Sequence, residues 1–400
     1  MMVAGACGSG CSEFERSNPT VILVSLDAFR WDFLERTETP ALDWLIAHGV
    51  RAERLVPVFP TKTFPSHYSM ATGLYPEHHG IVSNTMYDPA ADAWFRLSDR
   101  VAVGDGHWWG GEPVWVTAEK RGLVTAPYFW PGSEAEIQGT RPTYWEPFDG
   151  SVPYAERVRQ VLSWLDLPAQ QRPSFVTLYV EAVDIVAHDY DPDGAPEVAA
   201  VIREVDEVVG LLLGGLQDGG LIDEVNIVVV SDHGMAQRSP DRVILIDDYV
   251  DLQRANVIDW DPVVMLRPDS ESVAEVYESL VDADPHLKVY KKQEIPARLH
   301  FRASERITPI VGIADVGWSI SSRSYFEGHA DRFVGGSHGY DPETEPMGSI
   351  FIAAGPAFEE GLTVPPFQSI HLYSLLCHLL GLGAAPNDGT IDSVGSMLRR

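Results

Sequence analysis

Three stretches of this chain are apolar at successive positions, rich in β-branched residues, and closed by an aspartate. They are Val21-Ile-Leu-Val-Ser-Leu-Asp27, Phe175-Val-Thr-Leu-Tyr-Val-Glu-Ala-Val-Asp184 and Asn226-Ile-Val-Val-Val-Ser-Asp232. Unbroken apolar runs of this kind predict strands buried on both faces of a parallel sheet. Between them the period lengthens to that of helices, over Pro40 to a glycine stop at Gly49, Glu156 to Leu165, and Ala195 to Leu213. A last buried strand, Ser349-Ile-Phe-Ile-Ala-Ala, precedes an apolar helical run, Tyr373-Ser-Leu-Leu-Cys-His-Leu-Leu. Residues 242–331 alternate shorter patterns and read as an α+β insertion. This order predicts one doubly wound α/β domain over residues 19–400, a mostly parallel sheet flanked by helices, better than it predicts two domains.

The aspartates then raise a question of charge. An ionised carboxylate at the end of a buried strand is unfavourable unless it is paired or bound to a cation, and strand carboxyl ends are where open α/β sheets bind ligands. Histidines accompany these aspartates. Asp184-x-x-x-His188 puts two side chains one helical turn apart, His233 directly follows Asp232, and His338 sits in the glycine-rich Gly335-Gly-Ser-His-Gly339. Aspartate and histidine without thiolate suit zinc better than iron or manganese. Two open sites need about three protein ligands each. Asp27, Asp232 and His233 supply one set; Asp184, His188 and His338 supply the other.

Two non-redox ions point to hydrolysis of phosphate esters, with a water or a side-chain hydroxyl as nucleophile. Among hydroxyls Thr63 is favoured, because it lies in the proline-flanked turn Phe59-Pro-Thr-Lys-Thr-Phe-Pro before a predicted helix, where free N–H groups attract phosphate. Thr61, Ser66 and Ser69 are rivals that spacing leaves open. The stretch from Trp108 to Phe148 is aromatic and rich in glycine and proline, which predicts the wall of a pocket more than a core.

Composition narrows the partners. A formal charge of −29 opposes binding of nucleic-acid duplexes and anionic membranes, while a small phosphate-bearing substrate stays open because bound cations reverse the local sign. No run is long enough to span a bilayer, and nothing sets the oligomeric state. Cys377, in the last helical run, reads as a buried thiol. Cys7 and Cys11 lie in a small-residue stretch within residues 1–18. That segment reads either as a flexible start or as the remnant of a signal peptide ending at a lipid-anchored cysteine, although it lacks a basic start. The second reading places the protein outside the cytoplasm, in the periplasm or beyond.

The chain also resembles the nucleotide pyrophosphatase/phosphodiesterase family of the alkaline phosphatase superfamily. The resemblance rests on Leu26-Asp27-Ala-Phe-Arg30, Pro60-Thr-Lys-Thr63-Phe-Pro, Thr72-Gly-Leu-Tyr-Pro-Glu-His-His-Gly80, Gly111-Glu-Pro-Val-Trp-Val-Thr-Ala-Glu-Lys120, Phe129-Trp-Pro-Gly-Ser133, Ser231-Asp-His-Gly-Met235 and Gly336-Ser-His-Gly339, in family order over most of residues 20–355. It implies an alkaline-phosphatase-like fold, two zinc ions on the two sets above, and Thr63 as a nucleophile that also touches the ion of Asp27, Asp232 and His233. It further implies that Asn84 donates to a phosphate oxygen, that a phosphothreonine forms and is hydrolysed, and that nucleotides or nucleotide esters release nucleoside 5′-monophosphates. Phe64, Phe148, Tyr179 and Trp130, with Pro131, match an aromatic slot for a base; Lys62 is a further substrate-binding candidate. Ala187 stands where the family has glycine, Val183 and Asp191 replace a proline and a glycine, Ser66 an asparagine and Phe148 a tyrosine, which touches the rim of the pocket and not the ligands. The alternative within the superfamily is a phosphodiesterase of choline-phosphate or lysophospholipid head groups, which calls for a cage around the cation instead of a base slot.

Overall fold

The computed structural model describes residues 20–399; the reading of Cys7 and Cys11 lies outside them. Seven strands form the main sheet: β1 (Thr20–Leu26), β2 (Gly49–Ala52), β3 (Thr125–Tyr128), β4 (Phe175–Val180), β5 (Val225–Val230), β6 (Phe351–Ala354) and β7 (Leu362–Val364), in the order β7-β2-β6-β5-β1-β4-β3. The four strands β3, β4, β1 and β5 run parallel, whereas β6 is antiparallel to both of its neighbours. The three aspartate-ended runs are therefore adjacent, and their carboxyl ends meet at one edge.

Alternation along β1 shows why these strands carry no polar face. Val21 and Leu23 join one core with Phe175, Val228 and Phe351, covered by α2 (Thr63–Thr72) and α6 (His371–Leu379). Ile22, Val24 and Leu26 join the other with Val176, Leu178 and Val229, covered by α1 (Pro40–Ala47), α3 (Tyr154–Leu165), α4 (Ala182–Asp189) and α5 (Pro196–Asp218). Both sides of the pleat are buried by helices, the doubly wound arrangement. α5 runs five residues beyond the predicted Leu213 because its apolar stripe continues through Leu216 against the same core. Cys377 is buried in α6, as read from the sequence.

Within residues 242–331 lies an antiparallel sheet of Val257–Asp259, Val263–Leu266, Ile310–Ala314 and Leu287–Lys291. Val264, Leu266 and Val289 face the helix Val273–Leu280, while Val263, Met265, Val311 and Ile313 face the first core of the main body. Such two-sided burial brings Asp259, at the end of the first of these strands, into reach of α2. The aromatic stretch behaves differently from its prediction. Trp108, Trp109 and Trp115 are buried in the first core, while Phe129, Trp130 and Phe148 line the cavity described below; large rings contribute strongly to packing where a core is within reach.

Candidate active site

The two ligand sets assemble at the carboxyl ends of β1, β4 and β5. Within each set, Asp27/Asp232/His233 and Asp184/His188/His338, the ligand atoms all lie within 4.8 Å of one another. His233 Nε2 is 3.0 Å from Asp232 Oδ2 and 3.5 Å from Asp27 Oδ1. His188 Nε2 and His338 Nε2 lie 3.4 and 3.6 Å from Asp184 Oδ1. The rings of His233 and His338 stack at 3.6 Å and join the two sets.

Each ligand is positioned by local chain geometry. Ala182–Asp189 forms an α-helix, which puts Asp184 and His188 on one face. Gly234 allows the Asp232-His233 turn by lack of bulk: a Cβ there would come within 2.2 Å of the Pro346 carbonyl oxygen. Gly335, at φ +71°, does the same for the His338 loop, since a Cβ would lie 2.4 Å from the His188 carbonyl oxygen.

The donor atoms fit divalent cations of the zinc type. Asp27 Oδ1, Asp184 Oδ1 and Asp232 Oδ2 are buried without a hydrogen-bond partner, and an orphaned buried acceptor costs about 1–3 kcal/mol, more when charged. Burial, reinforced by Asp232 and Asp184, pushes the Asp27 carboxyl well above the usual carboxylate range; these charges call for a positive neighbour. All three histidines turn Nδ1 outward to a backbone carbonyl, of Gly234 at 3.0 Å, Gly336 at 3.2 Å and Thr61 at 2.9 Å. That contact fixes each ring and leaves Nε2 for an ion. Burial, together with the adjacent His233, holds His338 well below the ordinary histidine value and so neutral, the form a ligand needs.

Thr63 begins α2 beside these atoms, with Oγ1 3.5 Å from His233 Nε2. It lines a cavity of about 450 Å³ together with Asp27, Phe64, Asn84, Phe148 and Tyr179. Its rivals are engaged elsewhere or buried: the Thr61 hydroxyl donates to the Tyr340 carbonyl oxygen, the Ser69 hydroxyl pairs with His79, and Ser66 is fully buried. The helix start is a poorer phosphate cradle than its position suggested, because Phe64 N–H donates to Asn84 Oδ1 at 2.9 Å and Pro65 has no N–H. That same bond turns the amide nitrogen of Asn84 outward as a donor.

The aromatic candidates surround the cavity. Phe148 is 37% exposed at its mouth, 5.9 Å from the Tyr179 ring and 5.3 Å from Phe129. Trp130 forms part of the wall and is fixed through Nε1 to the His67 carbonyl oxygen. The Tyr179 hydroxyl donates to Asp27 Oδ2 at 2.6 Å, so this ring also orients a ligand. Lys62 is placed otherwise than expected: its ammonium pairs with Asp259 at 2.6 Å and lies outside the lining of the cavity.

Three residues went unread in the sequence. Asp259 Oδ2 receives both Lys62 and the Ser83 hydroxyl, which closes a ring through Thr63, Phe64, Asn84 and back to Ser83. His67 is buried with Nδ1 2.8 Å from the Thr63 carbonyl oxygen and 3.3 Å from Asp232 Oδ2, and Nε2 2.8 Å from Ser25. The i, i+4 spacing of Thr63 and His67 was the one available hint.

Comparison with known proteins identifies the family. The family model described as type I phosphodiesterase / nucleotide pyrophosphatase matches residues 21–341. Human ectonucleotide pyrophosphatase/phosphodiesterase family member 5 is 37% identical over 94% of this chain and 78% of its own length. The bis(5′-adenosyl)-triphosphatase of Xenopus laevis is 37% identical over 96% of this chain and 82% of its own. Murine ectonucleotide pyrophosphatase/phosphodiesterase 5, solved as an inactive threonine-to-alanine variant in complex with AMP, superimposes with a TM-score of 0.90 at 39% identity, covering 95% of this chain and 100% of that one. The chain belongs to the type I phosphodiesterase / nucleotide pyrophosphatase family and has its alkaline-phosphatase-like α/β fold.

Proposed function

We propose that this protein hydrolyses phosphodiester and pyrophosphate bonds in nucleotides and nucleotide esters, releasing nucleoside 5′-monophosphates through a covalent phosphothreonyl intermediate at Thr63 that still carries the nucleoside, with two zinc ions as cofactors. The observation that carries the reading is the Thr63 hydroxyl at the edge of the Asp27/Asp232/His233 set, facing a cavity walled by Phe64, Phe148 and Tyr179. Two relatives support it, one named for cleaving a dinucleoside triphosphate and one solved with AMP and inactive after loss of a threonine. An extracytoplasmic place of action accords with the ecto- prefix of the human and murine relatives.

Asp27, Asp232 and His233 would hold one ion; Asp184, His188 and His338 would hold the other. When bound, such ions supply Lewis acidity, which withdraws charge from a phosphoryl group and makes oxygen nucleophiles effective at neutral pH. The residues of the chain do the rest. The base stacks in the aromatic slot, a mode tolerant of base identity. Thr63 Oγ forms a bond to phosphorus as the bond to the leaving oxygen breaks. Asn84, its carbonyl held by Phe64 N–H, donates its amide to a non-bridging oxygen where charge develops. Water, reaching the phosphorus from the more open side near Asp184 and His188, then breaks the Thr63 Oγ–P bond, which frees the nucleoside 5′-monophosphate and restores the hydroxyl.

The test uses the 4-nitrophenyl ester of thymidine 5′-monophosphate beside 4-nitrophenyl phosphorylcholine. The nucleotide ester should be turned over much faster, and acid-quenched enzyme should carry one thymidylyl group on the peptide containing Thr63. Faster turnover of the choline ester would shift the substrate to the head-group alternative. A thymidylyl group on any other peptide would overturn the assignment of Thr63.

A further inference from the structure

The cavity at Thr63 has aromatic walls for one nucleoside. A second cavity, of about 540 Å³, is lined by Arg238, Trp260, Asp261, Tyr325, Arg332 and Phe333, and shares no residue with the first. Its volume falls in the range of sites for small molecules, about 300–1,000 Å³.

Both of its walls lead to the catalytic residues. Arg238 follows the short strand Ala236–Gln237, which pairs with Gly336–Ser337 immediately before His338, and its N–H donates to the Gly335 carbonyl oxygen at 2.9 Å. Trp260 and Asp261 follow Asp259, which holds Lys62 beside Thr63. The turn after Asp261 packs against the His338 loop: a Cβ on Gly339 would lie 2.7 Å from Pro262 Cδ and 3.4 Å from Lys62 Cε. The second cavity thus flanks the site through the residues next to His338 and Lys62, while the base slot adjoins Phe64.

Its chemistry is that of a binding site for an aromatic anion. Arg238 lies 5.9 Å over the Phe333 ring and 3.7 Å from Asp261 Oδ2, and Asp261 is anchored by the Ile320 N–H at 2.8 Å. Arg332 is exposed and has no ion-pair partner among the described residues. Two guanidinium groups against one carboxylate give a local positive excess in a chain of net charge −29. Guanidinium suits phosphate through paired hydrogen bonds. The rings of Trp260 and the 44%-exposed Tyr325 offer faces for a base.

We propose that this cavity receives the departing half of the substrate, a phosphorylated aromatic nucleoside, with its ring against Trp260 and Tyr325 and its phosphates at Arg238 and Arg332. The inference rests on the phosphodiesterase reading and deepens it: the substrates served best are dinucleotides, whose two bases fill two separate cavities.

The experiment compares diadenosine triphosphate with the 4-nitrophenyl ester of thymidine 5′-monophosphate, whose leaving group carries no phosphate. In Arg332→Ala and Trp260→Ala, kcat/KM for the dinucleotide should fall at least about tenfold further than for the ester, through KM. Arg332→Lys should recover part of the loss, since it restores the charge without the paired donors. Equal losses on both substrates, or no selective loss on the dinucleotide, would overturn the subsite while leaving the phosphodiesterase reading intact. A wild-type protein inert on the ester would sink that reading, and the subsite with it.

Discussion

The two ligand sets use the same residue types but are built unlike one another. The side chains of Asp27, Asp232 and His233 are at most 1% exposed, whereas those of Asp184, His188 and His338 are 20%, 36% and 9% exposed. The first set comes from the ends of two central parallel strands and is hemmed in by His67, Tyr179 and the Ala28 N–H. The second comes from a short helix and a glycine loop at the border of the cavity. On the proposed mechanism the sealed set suits the step that must exclude bulk water, attack by Thr63, and the open set suits the step that admits water. Separating the two demands places an active threonine next to the drier one.

The comparison can be broken most directly at Thr63. Thr63→Ala should lower turnover roughly a thousandfold or more without changing the bound metal, measured by single-turnover kinetics beside elemental analysis. Loss of metal in that variant would make the hydroxyl structural. Next come the sets themselves. Asp232→Ala should lose metal and lower the melting temperature of the metal-loaded protein, because Asp232 also accepts Ala28 N–H. His188→Ala should lose metal with a much smaller thermal shift, and its activity should be partly restored by excess zinc. Each ligand variant should lose at least the roughly 10- to 100-fold that removing an outer partner brings. Equal thermal shifts in the two variants would erase the contrast in burial.

A smaller effect is expected from the ring around Thr63. Asp259→Ala should lower kcat by roughly 10- to 100-fold, the scale of a misplaced nucleophile, with KM and metal content little changed, and Asp259→Asn should retain part of the rate. A loss confined to KM would instead make Lys62 a substrate contact. Smallest is Tyr179→Phe, which removes one bond to Asp27 and leaves the ring: about a tenfold drop in kcat, with the slot still formed. A larger change in KM than in kcat would place the role of the hydroxyl in binding.

How far these arrangements could be read from sequence depended on whether their cause was local. β1, β4 and β5 were legible because strands covered on both faces must be apolar throughout, and their aspartates were legible as charges that such a setting does not tolerate. The ligand histidines followed from spacing. β2, β3 and β7 carry no such run, since edge and near-edge strands of three or four residues are specified by what they pair with. Asn84 by itself reads as a turn residue, and only resemblance singled it out. Asp259, Ser83 and His67 acquire meaning through partners that are remote or folded back upon them, so no window of sequence could show it. Lys62 illustrates the same limit in reverse, as a cation beside the nucleophile whose counter-charge arrives from 197 residues away.

That long-range clasp has a mechanical consequence. The sheet containing Asp259 buries one face on the main body and the other under its own helix, so it is seated as a plate, and its grip on Lys62 and Ser83 ties the placement of Thr63 and Asn84 to it. A ligand wedged beneath the plate would leave the six aspartate and histidine ligands in place, yet pull the Thr63 hydroxyl and the Asn84 amide away from them. An inhibitor of that kind would owe nothing to the shape of a nucleotide.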